Sequence, residues 1–266
     1  MTPDQISAAG KALFDADSTG TQTGLLSLKY PGMTMDDAYN VQADLVARHM
    51  AAGRRGIGWK IGLTSRAMQD ALNIDTPDSG VLLDNMNFAN DSTIPANRFI
   101  QPRVEAEIAF VMKSPLTGAN CTRDDVIAAT GFVAPSLELL DTRVQRVDAA
   151  TGKARIVTDT ISDNAANAGV VLGDERHAPL DHDLRWVGAI VTRNGIVEET
   201  GLGAGVLNDP VTSILWLARR MAEYGQSIKA GDIVLSGSFI RPIEAPTGAE
   251  FDADFGPFGS VRIAFA

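Results

Sequence analysis

The chain has 266 residues, 45% of them hydrophobic and 21% charged, a composition that buries a sizeable core and excludes a disordered chain. Acidic residues outnumber basic ones 33 to 23, for a net charge of −10, and no segment gathers Lys and Arg into a basic face, so neither nucleic acid nor a membrane surface is an expected partner. The opening residues lack the basic start and apolar core of a signal peptide, no apolar run is long enough to span a bilayer, and the single cysteine, Cys121, leaves no internal disulfide or thiolate zinc site; a cytoplasmic protein is expected.

Residues 4–16 place Ile6, Ala9, Leu13 and Phe14 at helical spacing, and residues 35–51 do the same with Ala38, Val41, Leu45 and Val46 behind Thr34, a cap. Beyond residue 57 the texture changes to short apolar runs rich in Val, Ile and Phe, punctuated by Gly, Pro, Asn and Asp. Strands are expected at 57–62, 103–112, 131–140, 168–172, 185–193, 196–199, 232–236 and 259–265. Asn194-Gly195 between two of them supplies the positive φ angles of a type I′ hairpin turn. Helices are expected at 65–72, 122–129 and 210–224, the last behind Asn208-Asp209-Pro210. Strands outnumber strict strand–helix alternation and no linker or repeat divides the chain. The expected fold is therefore α+β: one unit over 1–266, with a helical segment at 1–55 and a β-rich body at 56–266 built on a mixed or antiparallel sheet folded on itself.

In Arg103-Val-Glu-Ala-Glu-Ile-Ala-Phe-Val111, alternation puts Glu105 and Glu107 on one face and Val104, Ala106 and Ile108 on the other. Two like charges side by side are comfortable only in open solvent or around a cation. Glu138, inside the apolar run Pro135-Ser-Leu-Glu-Leu-Leu140, is either exposed at a sheet margin or buried with a partner. Together the three carboxylates describe a hard-metal site suited to Mg2+, or Mn2+. Lys60, between glycines and large apolar residues in Gly58-Trp-Lys-Ile-Gly62, is either a proton carrier whose pKa desolvation lowers or a lysine snorkelling from a strand end. Asp78 is its candidate charge partner or a second acid–base group; Thr64 and Asp75 read as a helix cap and a turn residue. The glycine-rich stretches 56–62 and 201–205 miss the dinucleotide spacing, and no histidine is placed to activate Ser236 or Ser238. Ser238, at a strand end, is a candidate partner for a substrate carboxylate.

GWKIGLTSRAMQ at 58–69, PDSGVLLD at 77–84, QPRVEAEIAFV at 101–111, PSLELLD at 135–141, SDNAANAG at 162–169, AGVLNDP at 204–210 and AGDIVLSGSF at 230–239 together resemble the fumarylacetoacetate hydrolase superfamily, in its branch of hydratases and decarboxylases of aromatic meta-cleavage pathways. The resemblance spans nearly the whole chain from about residue 28. It implies a mixed sheet rolled into a barrel-like body with flanking helices, and a homo-oligomer. It also implies Glu105, Glu107 and Glu138 as metal ligands, Lys60 and Asp78 as catalytic groups, and Leu83 and Ser238 against a 2-oxo acid substrate. The expected reaction is metal-dependent addition of water to a seven-carbon 2-oxo-enedioate, with Arg66 or Arg241 anchoring the remote carboxylate. Hydration of the five-carbon monoacid, decarboxylation of a six-carbon diacid, and a non-catalytic metal- and ligand-binding subunit are the alternatives.

Overall fold

The computed structural model describes residues 1–66, 69–70, 74 and 76–266; the helix expected over 65–72 and the turn at Asp75 rest on residues outside that description. Three helices open the chain: α1 (Pro3–Thr19), α2 (Leu26–Lys29) and α3 (Met35–Ala51). Thr2 and Thr34 close capping boxes with Gln5 and Asp37, which supplies partners for amide groups that the helix ends leave free. Their apolar stripes meet in a small core of Ala9, Leu13, Leu25, Leu26, Val41 and Leu45.

The body contains thirteen described strands in two sheets. The larger runs β2 (Asp78–Leu83), β1 (Gly56–Gly62), β10 (Ile233–Leu235), β5 (Arg103–Met112), β6 (Thr130–Leu140), β7 (Asn167–Leu172) and β3 (Asn87–Phe88), with β11 (Ile243–Glu244) also on β5. It is curled into a half-barrel. The smaller runs β4 (Ser92–Ile94), β13 (Ser260–Phe265), β12 (Glu250–Asp254), β8 (Gly188–Arg193) and β9 (Ile196–Leu202). Both are mixed: β1–β10, β3–β7 and β4–β13 are parallel and the other ladders antiparallel. Asn194 and Gly195, with φ of 54° and 77°, turn β8 into β9 as expected. Helices α4 (Arg123–Ala129), α5 (Val157–Ser162) and α6 (Pro210–Glu223) complete the body. Asp209 caps α6 by accepting from Val211 N at 2.9 Å.

The two faces of the large sheet have separate work. On one, Ile61, Val104, Ile108, Phe110, Leu137 and Val234 pack against Val191, Ala253, Val261 and Ile263 of the small sheet and Ile214 and Leu217 of α6, forming the main core. On the other, Leu82, Leu83, Ala109, Val170, Ile233 and Leu235 form a second apolar cluster. Strand alternation puts this second face on the same side as Glu105, Glu107, Glu138 and Lys60.

Strand β2, like β3, β4, β11 and β12, falls outside the expected strands. It is held by the segment before β7. Asn164, Ala165 and Ala166 run through left-handed backbone, with φ of 52°, 52° and 59°. Asn164 thereby accepts from Val81 N at 2.8 Å and donates to Val81 O at 2.9 Å, and Asn167 Nδ2 donates to the same oxygen at 2.9 Å. The turn is anchored by a buried ion pair in which Arg143 Nε donates to Asp163 Oδ1 at 2.5 Å.

Candidate functional site

The β5–β6 register pairs Glu105 with Glu138 and Glu107 with Ser136, so the three glutamates expected from scattered segments share one patch of sheet. One carboxylate oxygen of each lies within 4.8 Å of the others. Glu107 and Glu138 are 0% exposed and Glu105 is part-buried, so this is no solvated strand face. Gly237 N donates to Glu107 Oε2 at 2.7 Å, which orients that side chain. The approach needs glycine: Gly237 has φ of 113°, and a Cβ there would lie 2.3 Å from Thr64 Oγ1.

Among the described residues, Glu107 Oε1, both oxygens of Glu138 and Asp78 Oδ1 are buried without a well-formed hydrogen bond, the Lys60 ammonium being the nearest donor to Glu138. Buried acceptors without donors cost free energy. Burial, with repulsion from Glu138, pushes Glu105 up to about 8. Glu107 is held well above the carboxylate range by burial and by Glu138 and Glu105, and burial raises Glu138. Three carboxylates that resist ionising together, with oxygens left unpaired, fit a hard divalent cation.

Lys60 and Asp78 meet across the β1–β2 ladder, where Lys60 pairs with Gly80 and Gly62 with Asp78. Lys60 is 4% exposed, and its Nζ lies 3.3 Å from Glu138 Oε1. A Cβ on Gly62 would fall 2.3 Å from Asp78 Oδ1 and 2.9 Å from Lys60 Nζ, so the absent side chain makes room for both groups. Burial raises the pKa of Asp78, against the pull of Lys60, the Gly62 amide and Arg155. The expectation for Lys60 itself is corrected. Burial does draw its pKa down, but Glu138, Asp78, Glu105 and Glu107 outweigh burial and hold it well above the ordinary lysine value. The acids around it favour the ammonium form, and its burial leaves no snorkelling side chain.

The remaining candidates are distributed unevenly. Leu83 is 1% exposed and belongs to the apolar cluster on the carboxylate face. Ser238 Oγ donates to Ile240 O at 2.9 Å and accepts from Ile240 N at 3.2 Å, so its hydroxyl closes its own loop. Arg66 has a side chain 85% exposed and 3.3 Å from Asp70; that of Arg241 is 82% exposed and its Nε donates to Glu199 at 2.8 Å. Both lie at the surface and neither is brought among the carboxylates. Sequence reasoning missed Tyr39 of α3, whose buried hydroxyl lies near Ser79 and whose pKa is raised by burial and by Asp78. It also missed Gln42, which donates to Ser79 O at 2.9 Å. A polar residue on the inward stripe of a helix was the available signal.

Comparison with known proteins gives the class of enzyme to which this curled mixed sheet and its buried carboxylates belong. No family model matches. The chain is 49% identical over 253 residues, 95% of each protein, to 2-oxo-hept-4-ene-1,7-dioate hydratase of Escherichia coli. It is 37% identical to 2-keto-4-pentenoate hydratase of Paraburkholderia xenovorans, over 100% of this chain and 96% of the relative. The solved structure of 4-oxalocrotonate decarboxylase from Pseudomonas putida G7, complexed with magnesium and adipate, superposes with a TM-score of 0.94 at 31% identity, covering 100% of this chain and 99% of that one. The chain belongs to the hydratase and decarboxylase branch of the fumarylacetoacetate hydrolase superfamily.

Proposed function

We propose that the protein is a divalent-metal-dependent hydratase that converts 2-oxohept-4-ene-1,7-dioate to 4-hydroxy-2-oxoheptanedioate in the breakdown of aromatic compounds. The observation that carries the reading is the buried triad of Glu105, Glu107 and Glu138 with its unpaired oxygens beside Lys60. The 49% identity to a hydratase of that substrate supports the choice of reaction. The magnesium and the dicarboxylate in the decarboxylase structure support the metal and the diacid class. No helix among the described residues is long and apolar enough to cross a membrane, and the reading takes the enzyme as cytoplasmic. Exposed Leu180, Trp186, Ile196 and Val197 offer surface that a homo-oligomer would cover.

Glu105, Glu107 and Glu138 would hold Mg2+ or Mn2+, which when bound supplies Lewis-acid stabilisation of negative charge on a 2-oxo acid. The protein's own groups handle protons and water. The 2-hydroxy-2,4-dienoate form loses its hydroxyl proton and gains one at C5, which leaves a 2-oxo group conjugated to a C3–C4 double bond. Lys60 Nζ, kept protonated by its acidic neighbours, is the donor for C5. Asp78, whose pKa burial raises, is placed to exchange a proton with it. Water then adds at C4, its oxygen to that carbon and one proton to C3. Leu83 and the apolar cluster around it exclude bulk water from the reacting chain.

The test is a spectrophotometric panel of five-, six- and seven-carbon 2-hydroxydienoates, with and without chelator, with products analysed for added water or lost carbon dioxide. Mg2+-dependent hydration favouring the seven-carbon diacid is expected. Full activity after exhaustive chelation overturns the metal assignment, and carbon dioxide release from the six-carbon diacid moves the protein to the decarboxylases.

A further inference from the structure

Three guanidinium groups gather at one end of the carboxylate face. Arg103 opens β5 and, by alternation, shares the side of Glu105 and Glu107. Across the ladder it pairs with Leu140, two residues beyond Glu138. The chain that follows β6 folds back over this end: Val147 bridges Ala154, and Arg155 N donates to Arg146 O at 2.9 Å. Arg155 Nη1 donates to Thr142 Oγ1 at 3.0 Å. Arg146 donates from Nε and Nη2 to Oε1 and O of Gln101 at 3.2 and 3.1 Å, and Gln101 N is itself tied to Asp141 at 2.7 Å. All three arginines are part-buried and pinned beside the same strand ends.

Carboxylates stand near this cluster, Asp141 and Glu244 acting on Arg146 and Asp163 and Asp159 on Arg155, yet few are bonded to it. Arg103 meets Glu244 at 3.1 Å, but that glutamate is 74% exposed; among the described residues, the side-chain hydrogen bonds of Arg146 and Arg155 go to neutral oxygens. Burial, then Arg103 and Arg155, pull Arg146 down to about 10 against Asp141 and Glu244, and burial lowers Arg155 against Asp163, with Arg103 and Arg143 adding to the fall. Like charges gathered and half-desolvated, with no carboxylate bonded to two of the three among the described residues, gain from an anion that joins them. Their fields also reach the reaction centre, that of Arg103 acting on Glu105 and that of Arg155 on Asp78.

We propose that Arg103, Arg146 and Arg155 form the receptor for the remote carboxylate of a dicarboxylic substrate whose 2-oxo acid end lies at Glu105, Glu107 and Glu138, in place of Arg66 or Arg241. The proposal rests on the 2-oxo acid reading of the carboxylate face and adds to it the residues that select chain length. Arg103 is two residues from Glu105, roughly 7 Å along the strand. An extended chain of seven carbons, with bonds of about 1.5 Å, spans on the order of 7 to 8 Å between its ends. A five-carbon monoacid stops short and leaves the arginines unpaired. Guanidinium forks suit the task because two N–H groups of one plane meet both oxygens of a carboxylate.

The test uses the full-length protein loaded with Mg2+ and two unreactive ligands, 2-oxoheptanedioate and 2-oxopentanoate, titrated calorimetrically, with kcat/KM for the seven- and five-carbon dienoates measured alongside. Wild type should favour the diacid. Arg146→Gln and Arg155→Gln should lower the diacid-to-monoacid affinity ratio about 10- to 100-fold each, the scale of a lost hydrogen bond to a charged group. Arg146→Lys should recover part of it, which a merely structural role would not produce. Thermal midpoints report folding; among the described residues the Arg146 side chain is bonded only to Gln101, so its two variants carry the test if Arg155→Gln unfolds. An unchanged ratio in the folded variants overturns the receptor, as does loss of the ratio in Arg66→Ala or Arg241→Ala instead. Equal wild-type affinity for both ligands also overturns it while leaving the 2-oxo acid reading intact. Wild type that binds neither ligand sinks that reading, and the receptor with it.

Discussion

Replacing Glu107 with glutamine should separate the cost of the acidic face from its purpose. Two ionised carboxylates at the 4.8 Å limit of the triad repel by about 3.5 kcal/mol at an effective dielectric constant of about 20. Glu107 faces two such neighbours, and the raised pKa values of all three glutamates express that repulsion together with burial. Glu107→Gln removes one charge yet preserves an oxygen to accept from Gly237 N. In chelator at pH 8 the variant should therefore unfold at the same temperature as wild type or higher. With Mg2+ at about 100 times its wild-type Kd, binding stabilises wild type by about 2.7 kcal/mol, a rise of roughly 5 to 10 °C for a chain of this size. The variant should show almost none of that rise, because a neutral amide replaces one of three anionic donors. Differential scanning fluorimetry with and without chelator, paired with calorimetric titration of Mg2+, reads both halves. A variant that binds Mg2+ within about threefold of wild type would refute the reasoning, as would a destabilised variant in chelator.

The stability of the chelated protein should fall as pH rises from 5 to 8. Glu105 titrates at about 8 when folded against an ordinary 4.5, so between those values the folded state holds a proton that the unfolded chain has released, and stability is lost with rising pH; Glu107 and Glu138 shift the same way. Urea midpoints across the window check this, and a flat or rising profile contradicts it. The stabilisation by Mg2+ should grow over the same range as protons cease to compete. Lys60→Met should cut turnover by roughly 10²- to 10⁴-fold, the usual loss for a general acid, while Mg2+ binds at least as tightly once a neighbouring cation is gone. Wild-type turnover in that variant removes Lys60 from the chemistry.

Legibility from the sequence followed how local the determining physics was. The helix over 35–51 and the Asn194-Gly195 hairpin are written in contiguous spacing and one dipeptide, and both stand where expected. Glu105 and Glu107 were readable as a pair because alternation decides their common face, whereas their meeting with Glu138 depends on a register that only the folded ladder sets. Strand β2 was hidden because its conformation is imposed by Asn164 and Asn167, more than 80 positions away. The sign of the Lys60 shift was misjudged for a related reason. Desolvation is visible in local apolar context, but the four acids that override it come from three other strands. Arg103, Arg146 and Arg155 have no shared spacing at all, and only the fold-back over β6 collects them.

The left-handed turn at Asn164–Ala166 bears on how copies of this chain can aggregate. β2 ends the large sheet, and an edge strand ordinarily offers its amides and carbonyls to any extended peptide that passes. Here the N–H and C=O of Val81, at the middle of that edge, are already taken by side-chain amides of Asn164 and Asn167, so an intruding strand finds both groups occupied. Left-handed backbone costs a non-glycine residue roughly 1–2 kcal/mol, and glycine in place of Ala165 and Ala166 would relax the turn while freeing the unfolded chain. Alanine keeps the plug stiff. Strand addition at Val81, on the edge that carries Asp78, would first have to displace these two side chains.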